Sequence, residues 1–395
     1  MSAQTLYPGV YVIESPVGAP TITGVSTSVT AFVGYAGRGP LDKAMLVLNS
    51  GDFERLYGGM LPETELACAV SQYFNNGGSE AWIVRVAARD TGQPPAGEAD
   101  VIGSPSEKTG LYALDAVDVV NILCLPDIAT LDGATASRVI ATAARYCERR
   151  MAFFIVDLPR TVASVAEASD WVQSLGAAAS ANAAAYFPRL KVASAAAPGE
   201  LRDISPSGAI AGLYAATDSR RGVWKAPAGV DAALRGVSGL TAQLTDAENG
   251  VLNPLGLNVL RSFPACGVVA WGARTLMGAD TRASEWKYIS VRRLALHIED
   301  SLKRGLQWTV FVPNGEVLWS QIRLSVSSFM QGLFTQGAFA GMAPNQAWFV
   351  RCDGSTTPPA DVESGVVNIQ VGFAPLRPEE FLVIDIQQIA GCPAS

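Results

Sequence analysis

The chain has 395 residues, 49% of them hydrophobic and 16% charged, and 36 acidic against 29 basic side chains give a formal net charge of −7. That length exceeds one ordinary core and implies two or three domains, and so apolar a composition excludes disorder. The acidic balance, with no Lys/Arg run to track phosphates, excludes direct nucleic-acid binding as the expected role.

The chain opens with an extended segment at 6–14. Leu6, Val10 and Val12 alternate with Tyr7, Tyr11 and Ile13, and Pro8 bars a helix. No basic n-region is present, so the segment does not read as a signal peptide. The longest apolar runs fall far short of a membrane span, so cytoplasmic assembly without membrane insertion is expected. A Pro/Gly/Thr/Ser-rich linker occupies 15–28, and an apolar strand at 29–35 then runs into a glycine-rich turn at 34–40. A helical turn at 52–57, a helix at 63–74 stopped by Asn75-Asn76-Gly77-Gly78, and a strand at 81–86 come next. Residues 89–110 read as a surface loop.

Between 115 and 192 strand and helix alternate. Residues 117–125 and 151–156 are apolar enough for strands buried on both faces. A helix at 135–150 puts Val139, Ile140, Ala143, Ala144 and Cys147 on one stripe and sets Arg149 and Arg150 at the negative end of its dipole. Trp171, Val172 and Leu175 mark another helix, and 183–192 reads as extended. This rhythm predicts a largely parallel sheet with right-handed crossovers. Ser205-Pro206 reads as an N-cap followed by proline at the first helical position, opening a helix to 217.

After about residue 250 the composition shifts. Ile289, Leu294, Ile298 and Leu302 line one face of a helix whose other face carries Arg292, Arg293, Asp300, Lys303 and Arg304. Ile322, Val326, Phe329 and Leu333 mark a second helix. Val367, Ile369, Val371 and Phe373 alternate as a half-buried strand, and 381–386 forms a last one. The fold class is therefore α/β plus α+β in a multi-domain chain: an arm and linker at 1–28, an α/β domain at 29–250, and an α+β domain at 251–395 ending in a strand arm at 376–395.

Catalytic chemistry finds little support. The one histidine, His297, lies in an amphipathic helix with no G-x-S-x-G elbow elsewhere, and reads as a satisfied helix residue. Cys68, Cys124, Cys147, Cys266, Cys352 and Cys392 are scattered without a C-x-x-C pair and read as small buried hydrophobes. The turn with Gly34, Gly37 and Gly39 has the wrong spacing for a phosphate loop, and Pro40 follows at once. Glu299-Asp300 and Glu379-Glu380 do not form facing acid/base pairs, the latter reading as solvated. Asp218, Arg220, Arg221, Trp224 and Lys225 form a polar cluster that could line a pocket but reads more readily as an intersubunit salt-bridge site. No cofactor, nucleotide or metal is expected. An α/β enzyme or nucleotide-binding protein using the 34–40 or 218–225 region is the alternative.

The two ends carry more information. Each is a short β-prone strand set off by prolines, with Pro16 and Pro20 after the first and Pro375 and Pro378 before the last. Such strands can pair within their own chain, 365–373 with 381–386 for example, or add to the sheet edge of a neighbouring subunit.

Several long, collinear segments resemble contractile phage tail sheath proteins: LYPGVYVIE at 6–14, GLYAATDSRRGVWKAPAG at 212–229 and LNPLGLNVLRSFPACGVVAWGARTL at 252–276. The likeness continues through EWKYISVRRLALHIEDSL at 285–302, QWTVFVPNGEVLW at 307–319 and VGFAPLRPEEFLVIDIQQ at 371–388. It spans most of the chain and is weakest at 90–200, where such proteins vary. The resemblance implies a structural subunit of a phage tail, a phage-tail-like bacteriocin or an injection particle. Its partners would be further copies of itself in six-subunit rings, an inner tube protein, and baseplate and tail-terminator or cap proteins. Val10, Tyr11, Val12 and Ile13 at one end, and Phe381, Leu382, Val383, Ile384 and Ile386 at the other, would be the arms joining a neighbour's sheet. Arg292, Arg293, Lys303 and Arg304, with Asp218, Arg220 and Arg221, are the candidate polar contacts to the tube or to adjacent subunits.

Overall fold

The computed structural model describes residues 20–59, 64–86, 97–194, 197 and 199–380. They form two compact units, one of residues 20–25 with Ile298–Pro375 and one of Ser26–His297 with residues 376–380.

In the larger unit the elements run β1 (Thr30–Gly34), β2 (Met45–Val47), α1 (Ser50–Tyr57), α2 (Leu66–Asn75), β3 (Ala81–Arg85) and a short α3 (Glu98–Val101). Next come β4 (Ile122–Cys124), α4 (Gly133–Arg150), β5 (Phe153–Val156), α5 (Val165–Ser174), β6 (Ala183–Phe187), β7 (Leu190–Ala193) and β8 (Leu201–Ile204). The series continues with α6 (Ser207–Arg221), β9 (Gly239–Leu240), α7 (Asp246–Leu252), β10 (Asn258–Phe263) and β11 (Gly267–Ala270).

Eight strands make one sheet in the order β11-β10-β6-β5-β4-β1-β3-β2, parallel except at the outer pairs β10–β11 and β2–β3. Phe32 lies level with both Ile83 and Cys124, so β1 is central. Alternate side chains feed two cores. Val33, Leu123 and Phe154 pack against Val139, Ile140 and Cys147 of α4 and Val172 of α5. Phe32, Ile122 and Phe153 pack on the other face with Tyr73 of α2 and Ile210 and Tyr214 of α6. Helices α2 and α6 meet closely, because a Cβ at Gly208 or Gly212 would collide with the backbone oxygen of Ala69 or Tyr73.

Helix starts follow local chemistry. Asp132 accepts from the amides of Ala134 and Thr135 to begin α4, and Ser164 with Glu167 forms a capping box on α5. The expected cap on α6 is different. Ser205 takes a guanidinium bond from Arg189 at 3.0 Å, and the Ser207 amide is served instead by Asp157 at 3.0 Å. The strand expected at 117–125 shortens to β4, preceded by a 3-10 helix at Gly110–Ala116. In the loop expected at 89–110, Val101 and Ile102 are buried in the core. The β10–β11 hairpin extends the large sheet, so residues 251–297 belong to the larger unit instead of beginning a new domain near 250.

Helix α8 (Ile289–Gly305) contributes Ile289–His297 to the larger unit and Ile298–Gly305 to the smaller. The smaller unit adds α9 (Glu316–Thr335), α10 (Pro344–Ala347), β12 (Trp348–Arg351), α11 (Pro359–Glu363) and β13 (Gln370–Phe373). β12 and β13 form an antiparallel two-stranded sheet with Trp348 opposite Phe373. Among the described residues, no helix is long and apolar enough to cross a membrane.

Candidate assembly surfaces

In an open parallel sheet, ligands sit outside the carboxyl ends of the strands, where the strand order reverses. Here that point lies between β1 and β4, and the chain's own side chains fill it. Asp127, just after β4, accepts from the Tyr35 and Glu65 amides, each at 2.7 Å. Burial pushes its carboxyl up to about 6 against those two bonds. Glu65 is buried in turn. Desolvation opposes its charge, yet Arg189, Arg160 at 2.8 Å and the Ser205 amide at 2.6 Å hold it below the usual carboxylate range. Asp157, after β5, is pushed by burial up to about 8. Carboxylates therefore stand where a phosphate would have to bind, and the 34–40 turn is closed from within. Among the described residues, no group of three His, Cys, Asp or Glu side chains could hold a metal. The five described cysteines are free thiols, and all but Cys266 are buried; Cys392 lies outside the described residues.

The candidate polar contacts separate on inspection. Asp218 and Arg293 face each other through bonds of 2.7 and 2.9 Å, with side chains 5% and 4% exposed. The Thr27 hydroxyl donates to Asp218 at 2.6 Å, and the Arg293 guanidinium lies over the Tyr214 ring. This buried pair is turned inward, which corrects the expectation of an outward role: removing either partner would strand a charge in the interior. Arg292 donates to Asn182 at 2.7 Å and stacks over Trp286. Arg304 pairs with Asp300 one turn back, whereas Lys303, Arg220 and Arg221 are exposed. His297 is half-buried beside Arg293 and Leu296 in a small cleft.

The arm residues Val10, Tyr11, Val12 and Ile13, and Phe381, Leu382, Val383, Ile384 and Ile386, lie outside the described residues. Their roots are described, and each is fastened. Within the smaller unit, Ser325 donates to the Pro20 carbonyl at 2.7 Å, the Val25 amide donates to Ser301 at 3.1 Å, and Ile22 packs so closely on Gly305 that a Cβ there would clash. Within the larger unit, Glu380 takes two bonds from Arg274, at 2.7 and 2.6 Å, and one from the Tyr288 hydroxyl at 3.2 Å. Arg274 is 1% exposed and also reaches Asp280 at 2.9 Å. Glu380 is therefore not the solvated residue its Pro-Glu-Glu setting implies. Sequence reading missed Arg274 altogether, because a lone arginine in an apolar stretch carries no signal of its partner 106 residues away.

The two-stranded sheet differs from the large one in kind. None of its eight strand residues is buried, and Phe349 is 49% exposed. An isolated two-stranded sheet is marginal in water and needs further strands or a covering layer. In the same unit Phe311, Val317 and Met342 are also strongly exposed.

Residues 100–276 match the phage tail sheath protein central domain, and 281–389 match the phage tail sheath C-terminal domain. A cryo-EM structure of the anti-feeding prophage helical sheath in its contracted state superposes with a TM-score of 0.75 at 30% identity, covering 97% of this chain and 99% of that one. The chain belongs to the phage tail sheath family. It is a structural protein, not an enzyme. A chain in the six-fold symmetrised cryo-EM structure of the anti-feeding prophage baseplate is similar as well, with a TM-score of 0.76 at 28% identity over 98% of this chain and 100% of that one. The tail sheath protein of Vibrio phage KVP40 is 24% identical over 180 residues, 45% of this chain. The match spans about a quarter of that relative's length, 26%.

Proposed function

We propose that this chain is the repeating subunit of a contractile sheath, stacked in six-subunit rings around an inner tube. The observation that carries the reading is the sheet β12–β13, which has two strands among the described residues and no buried strand residue, with Phe349 49% exposed. A terminal arm from another copy would add a strand at this sheet, its backbone groups extending the ladder and its alternate side chains covering Phe349. Each ladder bond contributes about 0.5–1.5 kcal/mol net, so a joint of several is firm yet reversible.

Contraction follows as a change of packing between copies. The extended lattice stores energy in poorer contacts, a baseplate signal releases it, and the shortened sheath drives the tube through a target envelope. The Pro/Gly/Thr/Ser-rich composition of the linker at 15–28 suits subunits that rotate while strand joints stay closed. Inner tube, baseplate and terminator or cap proteins are the partners, and assembly takes place in the cytoplasm. Lys303, exposed on α8, is a candidate contact to the tube.

Negative-stain electron microscopy of the full chain and of a chain ending at 380 tests the reading. Tubes or rings from the full chain and monomers from the shortened one are expected. A full-length chain that stays monomeric at high concentration, with truncation changing nothing, would overturn it.

A further inference from the structure

The polar cluster at 218–225 divides in the fold. Asp218 is committed to Arg293 in the interior, so the acid closest in sequence is spent. Arg220, Arg221 and Lys225 instead line an open cavity of about 400 Å³ with Thr217, Pro227 and Asp231. Arg220 donates to the Ala216 carbonyl at 3.0 Å, serving the end of α6. Arg221 and Lys225 have no ion-pair partner among the described residues. The helix dipole accounts for cations in the last turn of α6. It does not account for Lys225, which lies beyond the helix end yet converges on the same cavity.

The chain as a whole is acidic, at −7. Copies packed side by side therefore repel unless a concentrated positive site meets the acid of a neighbour. We propose that this cavity receives a carboxylate-bearing surface of a second copy of the chain. The proposal rests on the sheath reading above, because a polymer is what brings copies repeatedly to one face.

The test is the double variant Arg221→Glu/Lys225→Glu. Both side chains are exposed, so circular dichroism and thermal melting should match the wild type. Polymer yield by sedimentation and electron microscopy gives the critical concentration for assembly. At low salt it should rise about tenfold or more, and the gap should narrow in roughly 0.5 M salt as the charges are screened. Arg221→Lys should assemble at nearly the wild-type concentration. A double variant that folds and polymerises like the wild type at low salt overturns this proposal and leaves the sheath reading standing. A wild-type chain that never polymerises removes both. Saturable binding of a labelled single-stranded oligonucleotide, lost in the double variant, would assign the cavity to nucleic acid and overturn the proposal too.

Discussion

The two sheets use similar residues to opposite ends. FFIV in β5 and WFVR in β12 are equally β-prone four-residue strands. Every residue of β5 is buried, flanked by two parallel strands and covered by helices on both faces, whereas no residue of β12 is buried and β13 is the one strand paired with it among the described residues. Propensity is the same and completeness is not. The large sheet fills even its ligand crevice with its own carboxylates and arginines, and is finished within one chain. The small sheet, among the described residues, retains exposed apolar surface that further strands would cover.

That contrast is open to attack in order of expected effect. Asp218→Ala should destabilise the chain by about 3–5 kcal/mol in denaturant unfolding, because Arg293 stays buried without its partner. Phe154→Ala should cost about 3–5 kcal/mol by the same measurement, from lost burial and a cavity in a closed core. Glu380→Gln should cost less, about 1–3 kcal/mol, since Arg274 keeps Asp280 and two carbonyls; faster proteolysis after residue 380 would report a loosened root. Phe349→Ser should change monomer stability by less than about 1 kcal/mol yet reduce polymer yield. A large monomer effect at Phe349 would mean that the small sheet is already complete, and the contrast would fail.

Acid and base probe the finished region separately. Asp157, raised from 3.8 to about 8, and Asp127, raised to about 6, bind protons more tightly when folded. Their contribution is full below the unfolded value and is lost as pH rises through 6 and 8. Glu65 is lowered, so its contribution is present above its unfolded value and is lost as pH falls through the folded one. Through these two groups melting temperature should fall between about pH 4 and pH 8 and level off above, and Asp157→Asn should flatten that fall by on the order of 1 kcal/mol or more. An unchanged slope between about pH 4 and pH 8 would show that Asp157 does not titrate in that range.

Much of the fold was legible without coordinates. The helix expected over 135–150 announces itself through its apolar stripe and its terminal arginines, with the structure adding two residues and the Asp132 cap, and the parallel rhythm shows in near-continuous apolar strands. The pairing of Asp218 with Arg293, the serving of α6 by Asp157 and the clamp of Arg274 on Glu380 were not legible. In each, the partners lie 50 to 106 residues apart and no local pattern links them. Strand β12 was missed for a related reason: its four residues are β-prone but too short a run to mark a strand until β13 lies beside them. Periodicity and caps act over one or two turns, so the sequence by itself determined which segments are helix and strand and that two faces must be buried. Which charges meet, and which sheet is left unfinished, depends on contacts between distant segments, and only the tertiary structure decided those.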